Sequence, residues 1–92
     1  MKIKVHFLGI LANYFGTEDL DLDLPGNSTL KDLLTTIGTQ HENLLPAELW
    51  DRQNKTFAPI LFIRGKNRDL ADPEESLHGE EQIYCLLPQA GG

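Results

Sequence analysis

The chain has few of the features that stabilise small secreted proteins or anchor proteins in membranes. Its 92 residues include one cysteine, Cys85, so no internal disulfide can form and the fold depends on its apolar core. No apolar run approaches the roughly 20 residues that cross a bilayer. The first residues alternate between polar and apolar side chains, unlike the uninterrupted apolar core of a signal peptide. These absences predict one small domain in the reducing cytoplasm.

Positive charge is also scarce. The chain has 8 basic side chains against 14 acidic ones, which gives a formal net charge of −6. Nucleic acids bind basic surfaces that displace counterions from their phosphates, and anionic membrane surfaces attract basic segments. We therefore expect neither nucleic acid nor membrane as a partner, whereas a basic protein surface is compatible with this charge.

No set of side chains in the sequence has the spacing of a catalytic or metal site. The three histidines, His6, His41 and His78, are scattered, and no pair has a metal-ligand spacing. Cys85 lies inside an apolar strand pattern, which favours a core residue over a nucleophile. We therefore predict no metal site, no bound cofactor and no intrinsic catalytic residue.

Alternating polar and apolar residues predict the strands. The predicted strands are residues 2–8, 18–24, 57–63, a short returning strand at 68–70, and 82–87. The strand at 57–63 is apolar on both faces near its end, which is typical of a central strand. Residues 9–17 are predicted to form a loop that packs on the domain.

Two helices are predicted between the second and third strands. Thr29 and Asp32 have nearly the spacing and chemistry of a capping box. An apolar stripe of helical period continues from there to Ile37, and Gly38 is predicted to end this helix as its C′ residue. Pro46 is predicted to open a brief second helix.

The order of the elements predicts the fold. A hairpin, a helix and further strands fit the α+β class, and we expect a ubiquitin-like β-grasp: a mixed sheet of four to five strands with one main helix packed across it. The first and last strands should lie side by side in its middle. The β-grasp domain is predicted to span residues 1–87, and residues 88–92 to form a flexible tail.

The tail has an unusual composition. After Pro88, Gln89 and Ala90 the sequence reaches Gly91 and Gly92. Glycine has no Cβ, so an extended tail of this kind can enter a channel that larger residues would block, and proline stiffens its exit from the sheet. Such a tail can deliver its terminal carboxylate to another protein's active site, where ATP must first activate it as an anhydride. The alternative interpretation is an interaction domain with a frayed end.

Several segments along the whole chain carry a resemblance to one family. The matching segments are residues 3–7, 12–16, 28–34, 49–51, 63–65, 77–81 and 86–92. With these segments the chain resembles the MoaD/ThiS type of ubiquitin-like sulfur-carrier proteins, in particular the MoaD-like small subunit of molybdopterin synthase. It departs from the pattern at two places. Arg64-Gly65 replaces the Asn-Gly of many relatives, and Pro88 stands alone where a proline pair is common.

The resemblance implies a carrier protein whose chemistry is done by partner enzymes. A ThiF/MoeB-like enzyme would use ATP and Mg²⁺ to adenylate the carboxylate of Gly92, and a persulfide sulfur would displace AMP to leave a thiocarboxylate. A MoaE-like large subunit would then direct this sulfur to the pterin precursor of molybdopterin.

Other outcomes stay open. Related carriers serve thiazole formation, tRNA thiolation or cysteine synthesis. A ubiquitin-like modifier, joined through Gly92 to lysines of target proteins, shares the adenylation step.

The sequence also predicts a docking surface. If Ile60 and Phe62, or Tyr84 and Leu86, lie on the sheet face opposite the helix, they form an apolar patch beside the tail. An apolar patch on a small acidic domain is typical of a protein interface. We therefore expect the partner to dock there.

Overall fold

The computed structural model describes residues 1–88, and residues 89–92 lie outside this description. Its elements, in chain order, are β1 (Lys2–Phe7), α1 (Ile10–Phe15), β2 (Asp19–Asp23), α2 (Leu30–Gln40), β3 (Trp50–Asp51), β4 (Thr56–Phe57), β5 (Phe62–Arg64) and β6 (Gln82–Leu86).

The main sheet has four strands in the order β2-β1-β6-β5. Strand β1 pairs antiparallel with β2 and parallel with β6, and β5 pairs antiparallel with β6, so the sheet is mixed. The first and last strands therefore lie side by side in the middle, as the element order predicts. Leu33 and Ile37 of α2 join Val5 and Ile83 of the central strands in one core, which places the helix across the inner face.

The N-terminus of α2 confirms the predicted capping box. The Thr29 hydroxyl accepts a hydrogen bond from the Asp32 amide, and the Asp32 carboxylate accepts one from the Thr29 amide at 2.9 Å. These bonds satisfy backbone groups that a helix start leaves without partners. The predicted end at Gly38 is wrong, because α2 continues to Gln40.

Gly38 serves close packing and not helix termination. It is buried, and a Cβ at this position would overlap the six-membered ring of the Trp50 indole. Trp50 is itself only 1% exposed, so its ring has little room to move aside. The absence of a side chain at Gly38 therefore lets the β3–β4 hairpin approach α2.

Replacing Gly38 with alanine should destabilise the domain by about 1–3 kcal/mol, the usual cost of overpacking a core. Helix propensity alone predicts a change of the opposite sign, about 1 kcal/mol in favour of alanine. Urea unfolding monitored by circular dichroism measures the effect. Gly26→Ala is the control, because a Cβ there meets open space. Equal midpoints for the Gly38→Ala variant and the wild type would contradict this packing.

The segment predicted as a loop at residues 9–17 contains α1. Two glycines with positive φ flank this helix, Gly9 at 59° and Gly16 at 75°. Leu11 and Phe15, one helical turn apart, are buried in the core. The helix has only six residues, too few for an apolar stripe to establish a helical period in the sequence.

The second predicted helix does not form. The amides of Leu49 and Trp50 both donate to the Pro46 carbonyl at 3.0 Å, which closes a turn. Trp50 then becomes extended and pairs with Phe57 in the β3–β4 hairpin. Pairing across this hairpin, together with burial of the indole against α2, outweighs the helix-opening preference of Pro46.

The predicted strand at 57–63 is divided, and its predicted central place is wrong. Strand β4 ends at Phe57 in a separate two-stranded sheet, and β5 begins at Phe62 on the edge of the main sheet. Pro59 has no amide hydrogen to give to a ladder, which favours the break. Apolar residues on both faces did not mean burial on both faces, because Ile60 and Phe62 are more than half exposed.

Candidate functional site

The sheet face opposite α2, here called the outer face, carries apolar residues on β5 and β6. Phe62 lies opposite Leu86 in the register. Ile63 and Cys85, their neighbours in the chain, are buried on the inner face. Successive strand residues point to opposite faces, so Phe62 and Leu86 lie on the outer face, as does Tyr84.

The four residues predicted to dock a partner, Ile60, Phe62, Tyr84 and Leu86, are called the apolar patch below. Ile60 lies in the turn before β5, outside the strand register that places the other three on the outer face. Ile60 is 52% exposed and Phe62 is 53% exposed, whereas Tyr84 and Leu86 are half-buried. Large apolar side chains with this exposure are typical of surfaces that a partner covers. Their role in docking stays a prediction.

Polar contacts surround the apolar patch and hold Tyr84 in place. The His6 ring stacks on the Tyr84 ring, with centroids 4.7 Å apart and planes inclined by 16°. The Nε2 atom of His6 also lies 2.9 Å from the Gln82 side-chain oxygen. On the β5 side, the Arg64 guanidinium forms an exposed ion pair with Asp69 at 3.3 Å. The patch therefore has an apolar centre with a polar and charged border.

The last described residues place the start of the tail beside this patch. Strand β6 ends at Leu86, Leu87 packs against the core, and Pro88 is exposed. The Leu8 amide donates to the Cys85 carbonyl at 2.9 Å, which fixes the end of β6 between β1 and β5. The predicted tail residues Ala90, Gly91 and Gly92 lie outside the described residues, so their role stays a prediction.

An ion cluster that sequence reasoning missed holds the segment before β6. The Arg68 guanidinium donates to both carboxylate oxygens of Glu81, at 3.0 Å, and to Glu75 at 3.3 Å. Glu81 also accepts from the His78 amide at 3.0 Å and directly precedes β6. The sequence signal is weak, because Arg68 and Glu81 are 13 residues apart and belong to no common motif.

Cys85 is a core residue, as the sequence predicts. Its side chain is 1% exposed, and burial raises the pKa of the thiol to about 12. The nucleophilic form of cysteine is the thiolate, which is therefore scarce at neutral pH. Cys85 is therefore a poor nucleophile in the folded domain.

The Cys85 thiol should react with Ellman's reagent at least about a hundredfold more slowly in the native protein than in urea, because the side chain is buried and the core must open to expose it. Absorbance of the released thionitrobenzoate measures the two rates. The Cys85→Ser variant sets the background. Prompt reaction of the native protein would mean that the core opens readily at β6.

The described residues offer neither a metal site nor a membrane span. Within residues 1–88, no three histidine, cysteine, aspartate or glutamate side chains are grouped so that they could hold a metal ion. The helices of this same region, six and eleven residues long, are too short to cross a bilayer.

Comparison with known proteins identifies the fold. No protein-family model matches the chain, and no curated protein matches it significantly. Among solved structures, SAMP1 from Haloferax volcanii is similar with a TM-score of 0.81 and 17% identity, over 100% of both chains. A protein assigned as molybdopterin converting factor, subunit 1, from Pyrococcus furiosus is similar with a TM-score of 0.73 and 21% sequence identity. The match covers 97% of this chain and 99% of that protein. Urm1 from Trypanosoma brucei is similar with a TM-score of 0.74 and 21% sequence identity, over 99% of this chain and 95% of that protein.

These similarities, together with the mixed four-stranded sheet and the helix packed on it, establish a ubiquitin-like β-grasp fold. The fold class predicted from the sequence is confirmed. The resemblance noted in the sequence is matched by the neighbours, which are small proteins of the same fold.

Proposed function

We propose that this protein is a sulfur carrier, adenylated and thiocarboxylated at the carboxylate of Gly92, which donates sulfur in the biosynthesis of molybdopterin. The observation that carries the proposal is the position of the apolar patch beside the end of β6, where the tail begins. The similarity to the Pyrococcus furiosus protein assigned as molybdopterin converting factor, subunit 1, supports the pterin precursor of molybdopterin as the acceptor of the sulfur.

The patch and the tail act together in this proposal. A partner that holds Phe62 and Leu86 also holds the point from which the tail departs, because Leu86 is the last residue of β6. Six residues follow Leu86 in the sequence, so the reacting carboxylate is within a short chain length of the docked surface and meets the partner's active site at high effective concentration. The partner supplies the catalytic groups.

The chemistry follows from the carboxylate itself. One carboxylate oxygen of Gly92 attacks the α-phosphorus of ATP, and pyrophosphate leaves with Mg²⁺. The resulting acyl adenylate is attacked at carbon by the terminal sulfur of an enzyme persulfide, and AMP leaves. A second thiol cleaves the sulfur–sulfur bond, which leaves the thiocarboxylate on Gly92. The enzyme of the first step is a ThiF/MoeB-like adenylating enzyme, and a MoaE-like large subunit receives the carrier in the cytoplasm.

The second candidate is a ubiquitin-like protein modifier. The similarity to SAMP1, a small archaeal modifier protein of Haloferax volcanii, favours it. The adenylation step is the same, but a lysine amine of a target protein then displaces AMP and forms an isopeptide bond with Gly92. Sulfur donation to thiazole, tRNA or cysteine precursors would use the same thiocarboxylate.

One experiment in cells separates the two candidates. The protein is expressed with an N-terminal epitope and its extracts are run on denaturing gels with and without an immobilised organomercury compound, which retards thiocarboxylates. A carrier gives a retarded band of the free protein. A modifier gives a ladder of higher bands that resists thiols and hydroxylamine. Neither species, in cells that contain the adenylating enzyme, would overturn both candidates.

A further inference from the structure

A groove runs along the inner side of β5, between that strand and α2. Its volume is about 1190 Å³. Most of its lining is apolar, and the residues that matter here are Leu34 of α2, Phe57, Leu61, Ile63 and Leu70. We call it the α2–β5 groove. Phe62 and Leu86 of the apolar patch also line it, so the groove and the patch are continuous at the edge of the sheet.

The backbone of β5 leaves a hydrogen-bond donor at this groove. The Ile63 carbonyl accepts from the Leu70 amide at 3.0 Å, so the backbone groups of Ile63 point away from β6. The Ile63 amide has no hydrogen-bond acceptor among residues 1–88. The bridge between Arg64 and Asp69 covers only the C-terminal part of the strand. The Leu61 amide donates to the Ala58 carbonyl, so the Ile63 amide is the donor that the N-terminal part of this edge offers to another extended chain.

The two edges of the main sheet differ in the protection they carry. On β2, the other edge strand, the side chains of Asp19, Asp21 and Asp23 are exposed. Charged side chains on an edge strand discourage pairing with a further strand. Residues 60–63 carry no charge. The groove edge is thus the one at which strand addition meets no electrostatic obstacle.

The charge around the groove differs from that of the whole chain. Its charged lining consists of Lys31, Lys55 and Arg64 against Asp69 and Glu74, although the chain carries a net charge of −6. Arg64 is paired with Asp69 at 3.3 Å, and Lys55 is paired with Glu42, outside the groove. Among residues 1–88, no carboxylate lies within ion-pair distance of Lys31, which is exposed. An anionic ligand complements this rim.

We propose that the α2–β5 groove binds an extended, acidic segment of a partner protein by strand addition to β5. The segment's apolar side chains occupy the space between Leu34 and Leu61, one of its carbonyls accepts from the Ile63 amide, and its carboxylates lie near Lys31. This inference does not depend on the proposed function. It gives the domain a binding groove that extends from the apolar patch at Phe62 and Leu86 to Lys31 on α2.

The test uses a fluorescein-labelled nine-residue peptide of alternating valine and glutamate, with a peptide of alternating valine and lysine as its control. Fluorescence anisotropy of the full-length protein should show at least about tenfold tighter binding of the glutamate peptide. Lys31→Glu should weaken this binding about tenfold, whereas Lys66→Glu, an equally exposed lysine outside the groove, should leave it unchanged. Nuclear magnetic resonance should show the Ile63 amide proton shifted downfield and slowed in exchange on addition of the peptide.

Several outcomes would overturn the proposal. Failure of the glutamate peptide to bind would do so, as would equal losses in the two lysine variants, which indicate non-specific attraction. Amide-proton shifts confined to Lys4 and Gln82 on the outer face would show that the peptide binds there and not in the groove. A chain shortened to end at Pro88 that binds the peptide more than about tenfold tighter than the full chain would identify the protein's own tail as the occupant.

Discussion

Replacing Gly91 with alanine is expected to abolish the proposed adenylation of this chain while leaving its thermal stability unchanged. In the proposed mechanism the tail enters a narrow channel of the activating enzyme, and the added Cβ would obstruct that channel. Deletion of Gly92 and extension beyond it should have the same effect. Each added residue moves the reacting carbon by about 3.3–3.6 Å along an extended chain, which removes it from attack range in a preorganised site.

Release of pyrophosphate from ATP, in the presence of the adenylating enzyme, measures this effect. The matched control is Gln89→Ala, which shortens a side chain of the same tail but changes neither its length nor its glycine pair. Thermal unfolding of all variants should agree with the wild type. Activation of the extended protein at the wild-type rate would mean that Gly91 and Gly92 are only a frayed end.

Phe62→Asp should abolish binding of the activating partner without changing the far-ultraviolet circular dichroism. Phe62 belongs to the apolar patch and is 53% exposed, so an aspartate there can be hydrated in the free protein. In the complex its carboxylate would be buried against the partner without an ion-pairing group. Loss of an aromatic contact residue of this kind typically costs about 2 kcal/mol or more, which weakens binding at least about thirtyfold.

The control for this variant is Leu44→Asp, because Leu44 is 57% exposed and lies outside the patch. Titration calorimetry with the adenylating enzyme should give an unchanged affinity for the Leu44→Asp protein. Unfolding of the Phe62→Asp protein would place Phe62 in the core, contrary to its exposure. If both substitutions weakened binding of the adenylating enzyme equally, the apolar patch would not be its docking surface.

Local signals in the sequence were sufficient to predict β1 and the start of α2. Alternation along residues 2–8 predicts β1 because its inner residues are buried and its lysines are exposed. The capping residues Thr29 and Asp32 predict the start of α2 because their bonds are local. The pairing of β1 with β6 followed from element order alone.

The errors arose where a contact distant in sequence decides the structure. Gly38 has the pattern of a helix end, but its role depends on Trp50, which follows 12 positions later and packs on it. Residues 57–63 have the pattern of a buried strand because the sequence does not distinguish exposed apolar side chains, such as Ile60 and Phe62, from those of the core. The free amide of Ile63 leaves no local signal in the sequence, and the ion cluster of Arg68 leaves only a weak one. Such features depend on which strands become neighbours.

Mass spectrometry of the intact chain tests the central claim most directly. The protein is incubated with ATP, Mg²⁺, the adenylating enzyme and a persulfide donor, and its mass is compared with that of a sample without ATP. The account predicts a gain equal to the replacement of one oxygen atom by sulfur, located on Gly92 by fragmentation. An unchanged mass, with an enzyme that thiocarboxylates its own carrier under the same conditions, would contradict it.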